Sequence, residues 1–133
     1  MGDESRYAAG LRIRREVLGD AHVDRAINDA SEFSKVYQEF ATEYAWGTVW
    51  TRPGLPRKTR SLLNIAMLTA LNRPDAIALH VRSALRNGAA PMEIAEVLLQ
   101  VAVYAGVVAA GDGFKVAERV LQTETSEPVE GDD

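Results

Sequence analysis

Apolar residues recur along this chain with the three-to-four-residue period of an α-helix, and no segment alternates convincingly like a β-strand. The clearest case is residues 31–45, where five large apolar side chains form one stripe and Ser31 is suited to cap the helix. The stripe consists of Phe33, Val36, Tyr37, Phe40 and Tyr44. This pattern predicts an all-α protein.

Two helices are predicted before this one, and the next helix begins after it at Arg57. Residues 4–18 form a helix that Gly19 ends, with Tyr7, Leu11 and Leu18 facing inward, and residues 21–28 form a short helix. From Arg57 the chain is helical again. Residues 62–71 are apolar nearly all round, which predicts a central buried helix.

Prolines and glycines mark the remaining helices. Pro74 opens a helix that reaches residue 87, with Gly88 just past its end, and Pro91 opens another that ends near residue 104, before Gly106. The short connection between these two helices predicts an antiparallel hairpin. A last helix is predicted over residues 107–122.

Residues 46–56 interrupt the helical pattern. They contain both tryptophans of the chain, Trp46 and Trp50, together with Arg52, two prolines and two glycines. Glycine and proline favour turns, so this segment is predicted to be a loop. Loops that carry large side chains often form binding sites.

The length and composition favour one globular domain. The chain has 133 residues, of which 47% are hydrophobic and 26% charged. Residues 1–122 are predicted to form a single bundle of about six to seven helices, and residues 123–133 an acidic disordered tail. That tail holds five of the 19 acids and no base, which leaves 14 acids against 15 bases in the body.

Several classes of function lack their signals. Without cysteine there is no disulfide, thiolate nucleophile or cysteine-ligated metal, and two histidines far apart do not indicate a catalytic metal. Phosphate-binding glycine loops are absent, and the body lacks the basic excess of a nucleic-acid-binding domain. With no secretory signal and no membrane-spanning apolar segment, we expect a cytoplasmic protein that binds neither nucleic acid nor membrane.

Two residues are candidates for proton chemistry. His80 lies on or beside the apolar face of its helix, and imidazole titrates near neutral pH. Glu96 stands within an apolar helix, where a carboxylate needs a partner. The alternatives are a histidine at the edge of the core and a glutamate that faces solvent.

A group of arginines indicates an anion site. Six of them fall between residues 52 and 86, where the only acid is Asp75. Guanidinium groups bind carboxylates through two parallel hydrogen bonds. The alternative is a solvated basic face. The group comprises Arg52, Arg57, Arg60, Arg73, Arg82 and Arg86.

Three stretches resemble the 4-carboxymuconolactone decarboxylases of aromatic catabolism. They are RIRREVLGDAHVD at residues 12–24, WGTVWTRPGLPRKTRSL at residues 46–62 with its flanks, and ALNR, LHVR and EIAEVLLQ between residues 70 and 100. The second is long and mixed in character. One departure is that this chain has Ala105 and Val108 where family members often have cysteine and proline.

The resemblance implies an alkyl hydroperoxidase D-like helical fold, assembled as a trimer or hexamer. It implies decarboxylation of gamma-carboxymuconolactone, a small lactone carboxylate, to beta-ketoadipate enol-lactone, with no cofactor. We hypothesise that His80 donates the proton, with Glu96 orienting it. The residues expected to contact substrate are Arg52, Arg60 and Arg82 at its carboxylates, and Trp46, Trp50 and Tyr104 as apolar walls.

Two other functions fit the same residues. One is a non-catalytic helical oligomer that binds a small carboxylate or a protein. The other is a decarboxylase or isomerase of a different lactone, because one fold supports many activities.

Overall fold

The computed structural model describes residues 4–126, and every regular element within them is a helix. The all-α prediction is confirmed. The α-helices are α1 (Arg6–Leu18), α2 (Asp20–Asn28), α3 (Glu32–Phe40), α4 (Arg57–Ala70), α5 (Pro74–Arg86), α6 (Pro91–Tyr104) and α7 (Val107–Ser126). A π-helix, Ala41–Val49, follows α3. The chain divides into two compact units, one up to Leu55 and one from Pro56.

Helix α1 ends at Leu18 as predicted and begins at Arg6, two residues after the predicted start. The Ser5 side chain accepts a hydrogen bond from the amide of Ala8, and Gly19 ends the helix at a φ of 95° that favours glycine. Leu18 is buried, as expected, but Tyr7 is exposed, so its predicted inward orientation is wrong. The buried face of the helix instead includes Arg14.

The second half of the predicted helix 31–45 differs from the prediction. Ser31 caps α3 as expected, through reciprocal hydrogen bonds with Ser34. The helix then continues as the π-helix to Val49, so residues 46–49 are not the predicted loop. Only the turns from Trp50 to Pro56 are irregular.

A close contact between backbones accompanies the π-helix. A Cβ atom on Gly10 of α1 would lie 2.1 Å from the carbonyl oxygen of Thr42 and 2.7 Å from the amide nitrogen of Gly47. Residues five apart stack in a π-helix, so Thr42 and Gly47 present one backbone ridge to α1. This approach depends on glycines 37 positions apart, which local periodicity does not detect.

The apolar stripe of α3 lies on the surface of the chain. Its members keep between 47% and 88% of their surface exposed, although the helix and its cap form as predicted. An apolar stripe normally packs against a partner, whereas about half or more of each side chain in this one is exposed. The exposed residues are Phe33, Val36, Tyr37, Phe40 and Tyr44.

The second unit packs α4 to α7 around one core. Helix α4 contacts the three others, and α7 contacts both α5 and α6. The prediction that α5 and α6 form a packed hairpin is wrong, because these two share almost no contact. The buried core consists of Ile65, Ile77, Val81, Ala84, Ala89, Ile94, Leu98, Val116, Ala117 and Val120.

Two further expectations change in this unit. Helix α4 buries Ser61, Ile65 and Thr69 only, while Leu63 and Met67 are exposed, so it is not buried all round within this chain. Helix α7 runs to residue 126, four positions past its predicted end at residue 122, and residues 127–133 lie outside the described part. Across residues 4–126 no helix combines the length and apolarity needed to cross a bilayer.

Candidate active site

His80 lies half-buried on α5 and faces α4. Its Nδ1 atom is 3.4 Å from Nδ2 of Asn64, a long hydrogen bond. An amide nitrogen can only donate, so in this arrangement Nδ1 accepts and the neutral ring carries its proton on Nε2. The contact therefore orients the imidazole on its Nδ1 side.

Cationic side chains surround the start of α4. Arg60 is half-buried and lies one helical turn before Asn64, so it shares the face of α4 that meets His80. Lys58 is neutralised by Glu93, at 3.1 Å from its carboxylate. The amide of Ala90 and then Lys58 hold the pKa of Glu93 below its usual value. Arg60 therefore shares a helix face with Asn64, as does Arg57 one turn earlier.

Three other predicted residues of this unit are exposed. Glu96 is exposed on α6, and no hydrogen bond or ion pair in the described chain joins its carboxylate to the imidazole. Arg82 is exposed on α5, and Tyr104 is 83% exposed at the end of α6. Asn64, not Glu96, is therefore the residue in position to orient the imidazole within one chain.

The first unit holds the predicted tryptophans. Trp46 and Trp50 stack with ring centroids 4.6 Å apart, and both are buried. The stacking follows from their position one turn apart on the π-helix and the residue after it. Arg52 follows in the exposed turn, with its amide hydrogen-bonded to the carbonyl of Val49.

A buried arginine also lies in this unit. Arg14 is 7% exposed and donates from Nη1 to the hydroxyl of Thr42 at 3.1 Å. Burial lowers the pKa of its guanidinium, while the phenols of Tyr37 and Tyr7 act in the opposite direction. No carboxylate in the described chain pairs with it.

A metal centre has no evident place in residues 4–126. Nowhere in that part do three histidine, aspartate or glutamate side chains come together. The chain contains no cysteine.

Comparison with known proteins gives the family. The profile of the carboxymuconolactone decarboxylase family matches residues 36–119. A protein of Acinetobacter baylyi named 4-carboxymuconolactone decarboxylase is 44% identical over 92% of this chain and 91% of its own length. The chain belongs to the carboxymuconolactone decarboxylase family.

Two other relatives of this chain are also named as decarboxylases. A Metarhizium robertsii protein named nitrosuccinic acid decarboxylase is 39% identical over 86% of this chain and 80% of its own length. A Pseudomonas putida protein named 4-carboxymuconolactone decarboxylase is 47% identical over 35% of this chain and 98% of its own length. Both names describe decarboxylation of carboxylic acids.

Two polar residues, Asn64 and Arg14, were not predicted as candidate site residues. Asn64 is the one amide within the apolar part of α4, a signal that the periodicity contained. Arg14 shares the inward face of α1 with Gly10 and Val17, at the spacing of a buried stripe. Together with His80 they give the chain a hydrogen-bonded imidazole and a buried cation, which suit proton transfer and anion binding.

Proposed function

We propose that this chain removes CO₂ from 4-carboxymuconolactone to give beta-ketoadipate enol-lactone, without a cofactor, in the cytoplasm. The observation that carries this proposal is the 44% identity with a 4-carboxymuconolactone decarboxylase over nearly the whole of both chains. The contact between His80 and Asn64 supplies a group suited to the chemistry.

The substrate contains its own electron sink. The departing carboxylate is attached to a carbon that a double bond conjugates with the lactone carbonyl. When the carbon–carboxylate bond breaks, its electron pair moves through the double bond to the carbonyl oxygen and CO₂ leaves. The resulting dienolate takes a proton at the carbon next to the carbonyl. The protein therefore needs to stabilise an oxyanion and to deliver one proton.

His80 is proposed as the proton donor or as the group that polarises the lactone carbonyl. The neutral ring with its proton on Nε2 would polarise the lactone carbonyl by donating a hydrogen bond, whereas proton transfer to the dienolate would come from the imidazolium, whose Nδ1–H would donate to the amide oxygen of Asn64. Half-burial supports this assignment, since a partly desolvated donor interacts more strongly with a developing oxyanion.

The other residues predicted to contact substrate or to orient His80 differ in the support that the structure gives them. Arg60 has the strongest support as a carboxylate ligand, because it is half-buried on the face of α4 that meets His80. The carboxylate-binding role of Arg52 and Arg82, the walls formed by Trp46, Trp50 and Tyr104, and the orienting role of Glu96 stay proposals.

A homo-oligomer, a trimer or hexamer, is part of the same proposal. The exposed aromatic stripe of α3 supports it, since apolar surface of this extent is normally covered by a partner. The exposed apolar residues around the junction of α6 and α7 support it too. They are Leu99, Val103, Tyr104, Val107 and Val108.

The name of one relative favours nitrosuccinic acid as an alternative substrate. The relative named nitrosuccinic acid decarboxylase covers 86% of this chain at 39% identity. Nitrosuccinate is also a dicarboxylate whose nitro group can accept electrons from a departing carboxylate. Turnover of each acid by the purified protein, measured side by side, distinguishes the two substrates.

The test is CO₂ release from 4-carboxymuconolactone by the purified protein and by His80→Gln. General acid catalysis contributes about 10²–10⁴-fold, so the variant should lose turnover by about that factor while its circular dichroism stays unchanged. His22→Gln, which alters the other histidine of the chain, is the matched control and should keep full turnover. Wild-type turnover by His80→Gln would remove the imidazole from the mechanism.

A further inference from the structure

Arg14 is an arginine whose environment within the first unit costs stability. Its side chain is 93% buried, because only 7% is exposed, and its one hydrogen-bond partner among the described residues is the neutral hydroxyl of Thr42. The Nε atom is buried with no acceptor in that part of the chain. A buried cation without an anion is destabilising, so such a residue indicates a role other than stability.

A second buried polar atom of the first unit also lacks a partner among the described residues. Gln38 precedes Thr42 by four positions on the continuous helical segment formed by α3 and the π-helix, so the two share a face. Its Oε1 is buried without a hydrogen-bond donor in the described chain. The amide can rotate and present its N–H instead. Two unsatisfied buried groups in the first unit, on residues that contact Thr42 or share its helix face, indicate a missing polar ligand.

The groups around Arg14 suit an anion. Tyr7 lies two helical turns before Arg14 on α1, and both Tyr7 and Tyr37 are close enough to influence the pKa of the guanidinium. These phenols are 38% and 64% exposed, so they lie on the solvent side of a buried cation and can donate hydrogen bonds. The Nε–H and one Nη–H of an arginine form the fork that a carboxylate accepts.

We propose that Arg14 binds a carboxylate of a small dicarboxylate ligand, with Thr42 holding the guanidinium in place and Gln38 and the phenols of Tyr7 and Tyr37 completing the site. This rests on the proposed function for the identity of the ligand, which would be the substrate. Arg14 is then a substrate-binding residue of the first unit.

The experiment compares binding of succinate by wild type, Arg14→Met and Arg12→Met in isothermal titration calorimetry. Methionine replaces the cation with an apolar side chain of similar length. Loss of charge-assisted hydrogen bonds should weaken succinate binding about 10–100-fold in Arg14→Met. Arg12 lies two positions away on α1 but is exposed and paired with Glu4 at 2.8 Å, so Arg12→Met should bind succinate like wild type. Succinamide, the neutral analogue, should bind neither variant nor wild type.

Thermal melting of the same proteins gives an independent measurement. Without succinate, Arg14→Met should melt above wild type, because it removes a buried unpaired charge. With succinate, only wild type and Arg12→Met should gain melting temperature. If Arg14→Met does not fold, Arg14→Lys replaces it, and its succinate affinity should fall because lysine lacks the planar fork.

Three outcomes overturn the proposal. They are unchanged succinate affinity in the Arg14 variant, no binding by wild type, and loss of oligomeric mass in Arg14→Met. The last would show that the guanidinium holds a carboxylate of a second copy.

Kinetics separate this inference from the proposed function. Decarboxylation with an unchanged KM in Arg14→Met refutes the inference alone, whereas succinate binding through Arg14 without CO₂ release refutes the proposed function alone.

Discussion

The contact between Gly10 and the π-helix gives a prediction whose size follows from the structure. In Gly10→Ala, the new Cβ would lie 2.1 Å from the carbonyl oxygen of Thr42, whereas ordinary contacts begin at 3.4 Å. The two backbones must therefore separate by about 1.3 Å. Overpacking of this kind costs about 1–3 kcal/mol, and the upper end applies because a backbone carbonyl cannot rotate away. Alanine recovers about 1 kcal/mol of helix propensity, so the net loss is about 2 kcal/mol.

Gly111→Ala is the matched control. Gly111 is also the fifth residue of its helix, but no atom lies within 4 Å of the position of its Cβ. Its replacement should gain about 0.5–1 kcal/mol from helix propensity alone. The measurement is urea unfolding followed by circular dichroism, with a comparison of midpoints at constant slope.

The same substitution should also reduce succinate binding. Separating α1 from the π-helix moves Arg14 away from Thr42, which is 3.1 Å distant in the native structure. If Gly10→Ala were as stable as Gly111→Ala, the close approach of the two backbones would be wrong.

Two further predictions concern single polar contacts. Asn64→Asp places a carboxylate beside Nδ1 of His80 and favours the charged imidazolium, the form that would donate the proton, so it should move the alkaline limb of the pH profile of turnover upward. An unmoved profile in this variant would show that the contact does not act on the ring. Asn64→Leu, which removes the contact, should lower turnover about threefold to tenfold. Glu93 has a pKa below its usual 4.5, so its contribution to stability is present above that pH and is lost as the pH falls further. Glu93→Gln should therefore unfold at lower urea than wild type at pH 7, with the gap closing toward pH 3, and a gap independent of pH would contradict this.

Local signals were enough to place most helix ends. Ser31, Pro74 and Pro91 begin helices, and Gly88 and Gly106 follow helix ends with φ of 99° and 133°, because each of these effects acts within a few residues. The π-helix and the arrangement of α5 and α6 were not predictable in this way. They depend on contacts between distant segments, such as the one at Gly10, and on α4 and α7 separating helices that a short connection joins.

The candidate site also contains residues that the local sequence indicates and contacts between distant residues that it does not indicate. The residue type alone identified His80, because few side chains transfer protons near neutral pH. Its partner Asn64 lies sixteen positions away, and a lone amide in an apolar helix gives no indication of what it contacts. Arg14 was visible as a charged residue on an inward stripe, but a count of charges treats a buried arginine and an exposed one alike.

The proposed chemistry limits where positive charge can help. Negative charge leaves the departing carboxylate as CO₂ forms and accumulates on the lactone oxygen. A guanidinium at the departing group would therefore stabilise the ground state more than the transition state and slow the reaction. An arginine that binds substrate, such as the one proposed at Arg14, should therefore bind the carboxylate that the product retains, where it stabilises both states equally. Its loss should then raise KM with little change in kcat, whereas loss of His80, which serves only the developing charge and the proton, should lower kcat itself.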